Sequence, residues 1–237
     1  MGKNINSYAL VPRILKFDGL TKDTRDTLSE LNIAVSEIDL ASVSQLNTDQ
    51  RTAFNTILEA AYVNKRDCFF LDGPGGTEKT FLYKALLAEA RSKGYYSACY
   101  SFLWSGCLDF PWRKDSTAHS RFKIPIDSSA ENMCKISKQS ALADLPLQVK
   151  LIIWDEAPLT HKTAIEGVEE MLKDIMSSTE LFGSKVIVLG GDFRQVLPMV
   201  TKGSKADFIQ ASIVNSYIRP HLQKLRLTQK HEGDIRS

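Results

Sequence analysis

The sequence predicts an α/β domain, with a mostly parallel sheet and helices on both faces. Three observations carry this. Cys68–Asp72, Leu151–Asp155 and Lys185–Leu189 are short apolar runs that do not alternate with polar residues, as strands buried on both faces require. Segments with apolar residues at helical spacing lie between them, so the strands join by crossovers rather than hairpins. Each run leads into glycines or carboxylates, which gathers polar groups at one edge of the sheet.

Composition bounds the function. The chain has 237 residues, enough for one large domain or two small ones. Its 43% hydrophobic and 24% charged content is ordinary for a globular protein. A net charge of +2 excludes a global basic field, so any nucleic acid must be held in a local groove. Cys68, Cys99, Cys107 and Cys134 have neither metal-type nor disulfide-type spacing, which points to reduced thiols in an intracellular protein. The chain has no apolar run of spanning length and no secretory pattern at its start, so neither membrane nor secretion is expected.

Residues 1–45 read as a leader or the remnant of an upstream domain, with a helix over Thr21–Val35 and otherwise irregular. A helix begins at Asn47, a good N-cap, with Gln50 placed to complete a capping box. Ala53, Phe54, Ile57, Leu58 and Ala61 share its apolar face. Gln50 has two readings. It closes the cap, or its amide reads an adenine edge.

After Cys68–Asp72 comes Gly73-Pro74-Gly75-Gly76-Thr77-Glu78-Lys79-Thr80. Strand, glycine-rich turn and helix start are the parts of a phosphate-binding loop, whose amides and helix dipole face anionic oxygens. Lys79 is placed for the β- and γ-phosphates, and the Thr80 hydroxyl for Mg²⁺. Glu78 stands where the pattern wants glycine. A carboxylate about 5 Å from one phosphate charge, at an effective dielectric near 20, is repelled by roughly 3 kcal/mol. That is on the order of a hundredfold in affinity, so nucleotide binding is expected to be impaired.

The following helix runs to about Lys93 and stops at Gly94. Tyr95–Ser101 is the next strand. Trp104, Phe110 and Trp112 crowd a stretch that is either a hydrophobic loop or a platform for bases. His119 and Arg121 follow, suited to a phosphate backbone or to an exposed helix surface. Leu151–Asp155 ends in Asp155-Glu156. At the carboxyl end of a parallel strand Asp155 is placed to hold Mg²⁺, and Glu156 to polarise a water. Thr163–Met176 is a helix with Thr163 and Glu166 as its capping box. Lys185–Leu189 runs into Gly190-Gly191-Asp192-Phe193-Arg194-Gln195. Gln195 is positioned for a γ-phosphate or the water, and Asp192 to brace the metal shell. A short helix over Ser212–Ile218 and a strand over Leu222–Leu227 complete the fold.

Taken together, Leu46-Asn47-Thr48-Asp49-Gln50, the phosphate loop, Thr117-Ala118-His119-Ser120-Arg121-Phe122, Ile153-Trp154-Asp155-Glu156-Ala157 and Gly191-Asp192-Phe193-Arg194-Gln195-Val196-Leu197-Pro198 resemble the first motor domain of the Pif-one-like DNA helicases of superfamily one. The version in plant Helitron-type mobile elements is the most similar. The resemblance covers about residues 46–229, leaving 230–237 as a polar tail. It implies a RecA-like P-loop NTPase domain, ATP with Mg²⁺ as cofactors, and single-stranded DNA and duplex junctions as partners. It also implies 5′ to 3′ movement, roles in DNA repair, recombination and telomere maintenance, and a nuclear location. Oligomeric state does not follow from it.

By the same resemblance Gln50 contacts adenine, and Gly73, Pro74, Gly75, Gly76, Thr77, Glu78, Lys79 and Thr80 hold the phosphates. Thr80 and Asp155 serve the metal, Glu156 activates water and Gln195 senses the γ-phosphate. Three departures stand out. One is Glu78. The second is residues 99–116, which do not match the family's DNA-contacting segment. The third is the loss of likeness after Gln229, where a second motor domain follows in the family. These departures imply a truncated, impaired helicase, or a catalytically inactive mobile-element remnant that binds nucleotide or DNA weakly at most.

Overall fold

The computed structural model describes residues 35–63, 65, 67–101, 118, 122–124, 141–192, 194, 198, 200 and 203–229. Nearly all of the expected Thr21–Val35 helix, the aromatic stretch Phe102–Ser116, His119, Arg121, Gln195 and the 230–237 tail lie outside these residues.

All three apolar runs are strands of a single sheet. Its strands are β1 (Cys68–Asp72), β2 (Tyr96–Ser101), β3 (Val149–Asp155), β4 (Val186–Gly191) and β5 (Leu222–Arg226). They stand in the order β2-β3-β4-β1-β5, and every pairing is parallel. Register places Asp72 opposite Gly191 on one side and Arg226 on the other, and Ser101 opposite Asp155. The carboxyl ends of all five strands therefore form one rim.

The reason the runs are continuously apolar is visible in their alternation. Phe69, Leu71, Leu151, Ile153, Val186 and Val188 point into one core, shared with helices α2 (Thr48–Val63) and α3 (Lys79–Ser92). Cys68, Phe70, Ile152, Trp154, Ile187 and Leu189 point into the other, shared with α5 (Lys162–Met176). Burying each large apolar side chain contributes about 1.5–3 kcal/mol, and a one-residue slip would exchange the two sets between faces. Register is thus fixed by fit on both faces. Cys68 sits in this interior, where burial pushes its thiol up to about 12; neither Cys68 nor Cys99 is in a disulfide.

Several elements differ from expectation. Residues expected to be irregular before position 46 form α1 (Glu37–Ala41) and a 3₁₀ turn at Ser42–Gln45. Leu40 and Val43 pack against the α2–α3 core, and Arg51 Nη2 donates to the Val43 carbonyl. A helix not foreseen, α4 (Ala141–Gln148), leads directly into β3 with Pro146 inside it. The strand β4 continues through Gly190 and Gly191 instead of ending at Leu189.

The Thr163–Glu166 capping box does not form. His161 is the N-cap of α5; its Nδ1 accepts from the Thr163 amide at 3.3 Å, and Glu166 accepts from Ser216 Oγ at 2.7 Å. Nor is Ser212–Ile218 a helix. It holds only a 3₁₀ turn at Ile213–Asn215, and the helix α6 (Lys205–Ala211) lies before it, opened by a Ser204–Asp207 capping box. Side chains of α5 account for this. Besides the Glu166–Ser216 bond, fully buried Glu169 accepts from Tyr217 Oη at 2.9 Å, from Lys173 Nζ at 2.8 Å and from the Phe182 amide at 3.3 Å.

Candidate functional site

The loop between β1 and α3 is held by its own backbone. The Gly73 amide donates to the Gly191 carbonyl at 3.2 Å, tying the loop to the end of β4. Buried Thr77 donates to the Pro74 carbonyl from its amide at 3.3 Å and from Oγ1 at 2.8 Å. A Cβ on Gly73 would lie 2.6 Å from that Oγ1, so the turn closes only around glycine. Gly75 and Gly76 are exposed, and Gly76 has φ +83°. Thr80 lies in the first turn of α3, and Lys79 Nζ donates to the Gly73 carbonyl at 2.8 Å.

Glu78 takes the left-handed conformation, φ 49° and ψ 49°. Glycine enters that region freely, whereas a residue with a Cβ pays about 1–2 kcal/mol. The charge and bulk of the Glu78 side chain are one reason this position suits glycine, and the backbone supplies a second.

Gln50 closes the cap and also reaches the phosphate loop. Its Oε1 accepts from the Asn47 amide at 3.1 Å while Asn47 Oδ1 accepts from the Gln50 amide at 2.9 Å, which is the reciprocal box. Its Nε2 then donates to the Thr77 carbonyl at 3.2 Å, so this cap braces the phosphate loop directly.

Acidic groups converge on the same rim. β3 ends at buried Asp155, whose Oδ1 accepts from Tyr83 Oη on α3 at 3.1 Å. Burial, and then the charge of Asp155, hold the Tyr83 phenol well above its ordinary range. Glu156 is half-buried with a left-handed backbone, φ 55°. Burial raises its carboxyl above the ordinary value; Asp155 and Asp192 raise it further, and Lys79 opposes them. Asp192, at the end of β4, accepts at Oδ1 from the Arg194 amide at 2.9 Å and from Arg194 Nε at 3.1 Å. Those bonds, the amide first, hold its carboxyl below the usual range, and Lys79 adds to the effect. Asp192 is therefore engaged with Arg194, a partner the sequence reading had not assigned.

Lys79, Asp155, Glu156 and Asp192 thus act on one another across the ends of β1, β3 and β4. The two glycines of β4 make the approach possible. A Cβ on Gly191 would meet Pro158 Cδ at 2.4 Å, and one on Gly190 would meet Tyr83 Oη at 1.7 Å. Sequence reasoning missed Tyr83. Its place four residues after Lys79 and three after Thr80 puts it on their face of the helix.

Among the described residues no group of three or more His, Cys, Asp or Glu side chains forms a metal cage. The donor set still fits Mg²⁺, which takes one or two carboxylates and completes its shell with phosphate oxygens and water. Burial is the main reason Glu156 is raised, and the smaller contributions of Asp155 and Asp192 are the part that a divalent cation would offset.

Comparison with known proteins follows this geometry. Residues 45–233 match the family model described as PIF1-like helicase. The chain is 27% identical over 171 residues to the ATP-dependent DNA helicase PIF1 of Danio rerio, covering 71% of this chain and 25% of that protein. It is 24% identical over 208 residues to the ATP-dependent DNA helicase RRM3 of Saccharomyces cerevisiae, covering 87% and 28%. The chain spans about a quarter of the length of these curated relatives. Among solved structures, Pif1 from Bacteroides in complex with ADP-AlF3 and single-stranded DNA superposes with a TM-score of 0.64, at 18% identity over 78% of this chain and 42% of that one. Pif1 from Candida albicans gives 0.58, at 20% identity over 78% and 40%. At these identities the structures establish the fold, an α/β domain of the RecA-like type.

Proposed function

The chain belongs to the PIF1-like helicase family, and from that premise we propose that residues 46–229 are the first RecA-like, ATP-binding domain of an ATP-dependent DNA helicase. The observation that supports the reading is that the strand ends leading into Asp155-Glu156 and Asp192 lie on one rim of a parallel sheet with the loop that carries Lys79.

In this reading the loop amides of Gly73–Thr80 and the start of α3 receive the phosphates of ATP. Lys79 exchanges the Gly73 carbonyl for phosphate oxygens. Thr80 and Asp155 hold Mg²⁺, which when bound neutralises phosphate charge. Glu156, with its carboxyl raised toward neutrality, is suited to take a proton from the attacking water. Gln50 contacts adenine, and Gln195 senses the γ-phosphate. Binding of single-stranded DNA and duplex junctions, 5′ to 3′ movement, service in repair, recombination and telomere maintenance, a nuclear location and a Helitron-type origin complete the proposal by family. None of the described helices is long and apolar enough to cross a membrane.

A second reading is favoured by Glu78: an inactive mobile-element remnant in which charge and left-handed backbone have weakened the nucleotide site. The test titrates the purified chain with a fluorescent ATP analogue, then measures ATP hydrolysis with Mg²⁺ and with or without single-stranded DNA. We expect weak hydrolysis stimulated by DNA, and stronger hydrolysis in Glu78→Gly. No binding in either protein would remove the first reading; full activity in the native chain would remove the second.

A further inference from the structure

We infer that Tyr83 is a positioning residue for Asp155, fixing the orientation in which that carboxylate meets Mg²⁺. The inference rests on the nucleotide-site reading above and extends it to a residue outside the loop and the acidic pair. Tyr83 and Asp155 are 72 positions apart, yet their side chains meet at 3.1 Å in the interior, with Tyr83 1% exposed and Asp155 5% exposed. An aspartate carboxylate turns easily about its last torsion. A donor on Oδ1 restricts that rotation and leaves Oδ2 presented in one direction.

Space for the hydroxyl is built into the neighbouring strand. Gly190 lies beside both groups: a Cβ there would be 1.7 Å from Tyr83 Oη and 3.3 Å from Asp155 Oδ1. Even alanine would drive the hydroxyl off the carboxylate. Three elements therefore specify one hydrogen bond: α3 supplies the donor, β3 the acceptor and β4 the gap. Tyr83 shares a helix face with Lys79 and Thr80, so the element that starts the phosphate site also orients the acid across from it. Partners that orient a metal ligand from behind typically govern metal affinity by about 10- to 100-fold.

The experiment uses the full 237-residue chain, native and Glu78→Gly, each with and without Tyr83→Phe. A fluorescent ATP analogue is titrated first without metal and then at increasing Mg²⁺. Tyr83→Phe is expected to raise the Mg²⁺ concentration for half-maximal tightening by about 10- to 100-fold, with metal-free nucleotide affinity unchanged. A packing role alone would alter neither quantity selectively. Gly190→Ala is expected to raise the Mg²⁺ requirement as well, but by less when Tyr83→Phe is already present, because the 1.7 Å clash with the hydroxyl is gone and only the 2.9 Å approach to the ring Cζ remains. An unchanged Mg²⁺ requirement in Tyr83→Phe, or additive effects of the two substitutions, would overturn the inference. If Mg²⁺ tightens nucleotide binding in neither background, the proposed function itself falls and takes this inference with it.

Discussion

Lys79 Nζ donates to the carbonyl of Gly73 at 2.8 Å, so the far end of the phosphate loop is fastened to its first residue. The same ammonium influences Glu156 and Asp192. With Arg194 on Asp192 and Lys224 on Asp72, this lysine offsets the carboxylates of the rim, and in its proposed role it would exchange an internal acceptor for a phosphate.

Lys79→Met should therefore separate binding from folding. Hydrogen bonds between charged partners are worth about 1.5–3 kcal/mol, so nucleotide affinity should fall about 10- to 100-fold. The loop bond is a part-buried contact to a neutral carbonyl, and its loss should lower unfolding free energy by only about 1 kcal/mol. Nucleotide titration and urea unfolding of the same preparations check both. Equal losses in the two would show that the lysine is mainly structural.

Glu78→Gly should raise nucleotide affinity at least tenfold. Two effects contribute, and their sizes differ. Removing the carboxylate relieves roughly 3 kcal/mol of repulsion toward bound phosphate. Removing the Cβ from a left-handed residue relieves about 1 kcal/mol, partly offset by glycine's greater freedom in the unfolded chain. Charge should dominate, so Glu78→Gln is expected to recover most of the affinity although its backbone remains left-handed. If Glu78→Gln behaves as the native chain and only glycine helps, the backbone is the obstacle.

The cap of α5 makes a prediction about pH. His161 Nδ1 accepts from Thr163, which requires that nitrogen to be unprotonated. Burial, then the charge of Lys162, lower the His161 pKa below its ordinary 6.5. Between the lowered value and 6.5 the unfolded chain binds more protons than the folded one, so stability increases with pH across that window. It is complete above about pH 6.5 and declines as the solution is acidified. His161→Asn keeps a capping oxygen and cannot titrate. Its unfolding free energy should change less between pH 7.5 and pH 5.5 than that of the native chain; an identical change would exclude His161 as the source.

Asp49 gathers three donors from the chain after β5: the Thr228 amide at 2.8 Å, Thr228 Oγ1 at 2.6 Å and the Gln229 amide at 3.2 Å. The Thr228 hydroxyl above all holds its carboxyl below the ordinary 3.8. This stabilisation is present above that value and disappears as pH falls through the lowered one. Because the contact is exposed, Asp49→Ala should cost only about 1 kcal/mol at neutral pH. Amide exchange at Thr228 and Gln229 should accelerate, and unchanged protection there would refute the clamp.

The legible parts of this molecule are those whose cause is local. β1, β3 and β4 are buried on both faces, so their letters are mostly apolar, and the Asn47–Gln50 box spans only four residues. Gly73 and Gly76 are dictated by a turn that closes within eight positions. What escaped reading depends on partners distant in sequence. Ser216 and Tyr217 are held by Glu166 and Glu169, some fifty positions away, which is why 212–218 is not the helix its letters suggest. Tyr83 shows its role only when β3 and β4 are laid beside α3. The role of Gln50 was open from spacing, and the fold shows its side chain closing the cap and touching the loop.

The clamp at Asp49 has a mechanical consequence. Tension applied to the polypeptide beyond Gln229 is delivered to the opening turn of α2, adjacent to the amide side chain that steadies Thr77. Two neighbouring residues, Asp49 and Gln50, thus connect the chain after β5 to the loop between β1 and α3 by a route separate from the β5–β1 pairing.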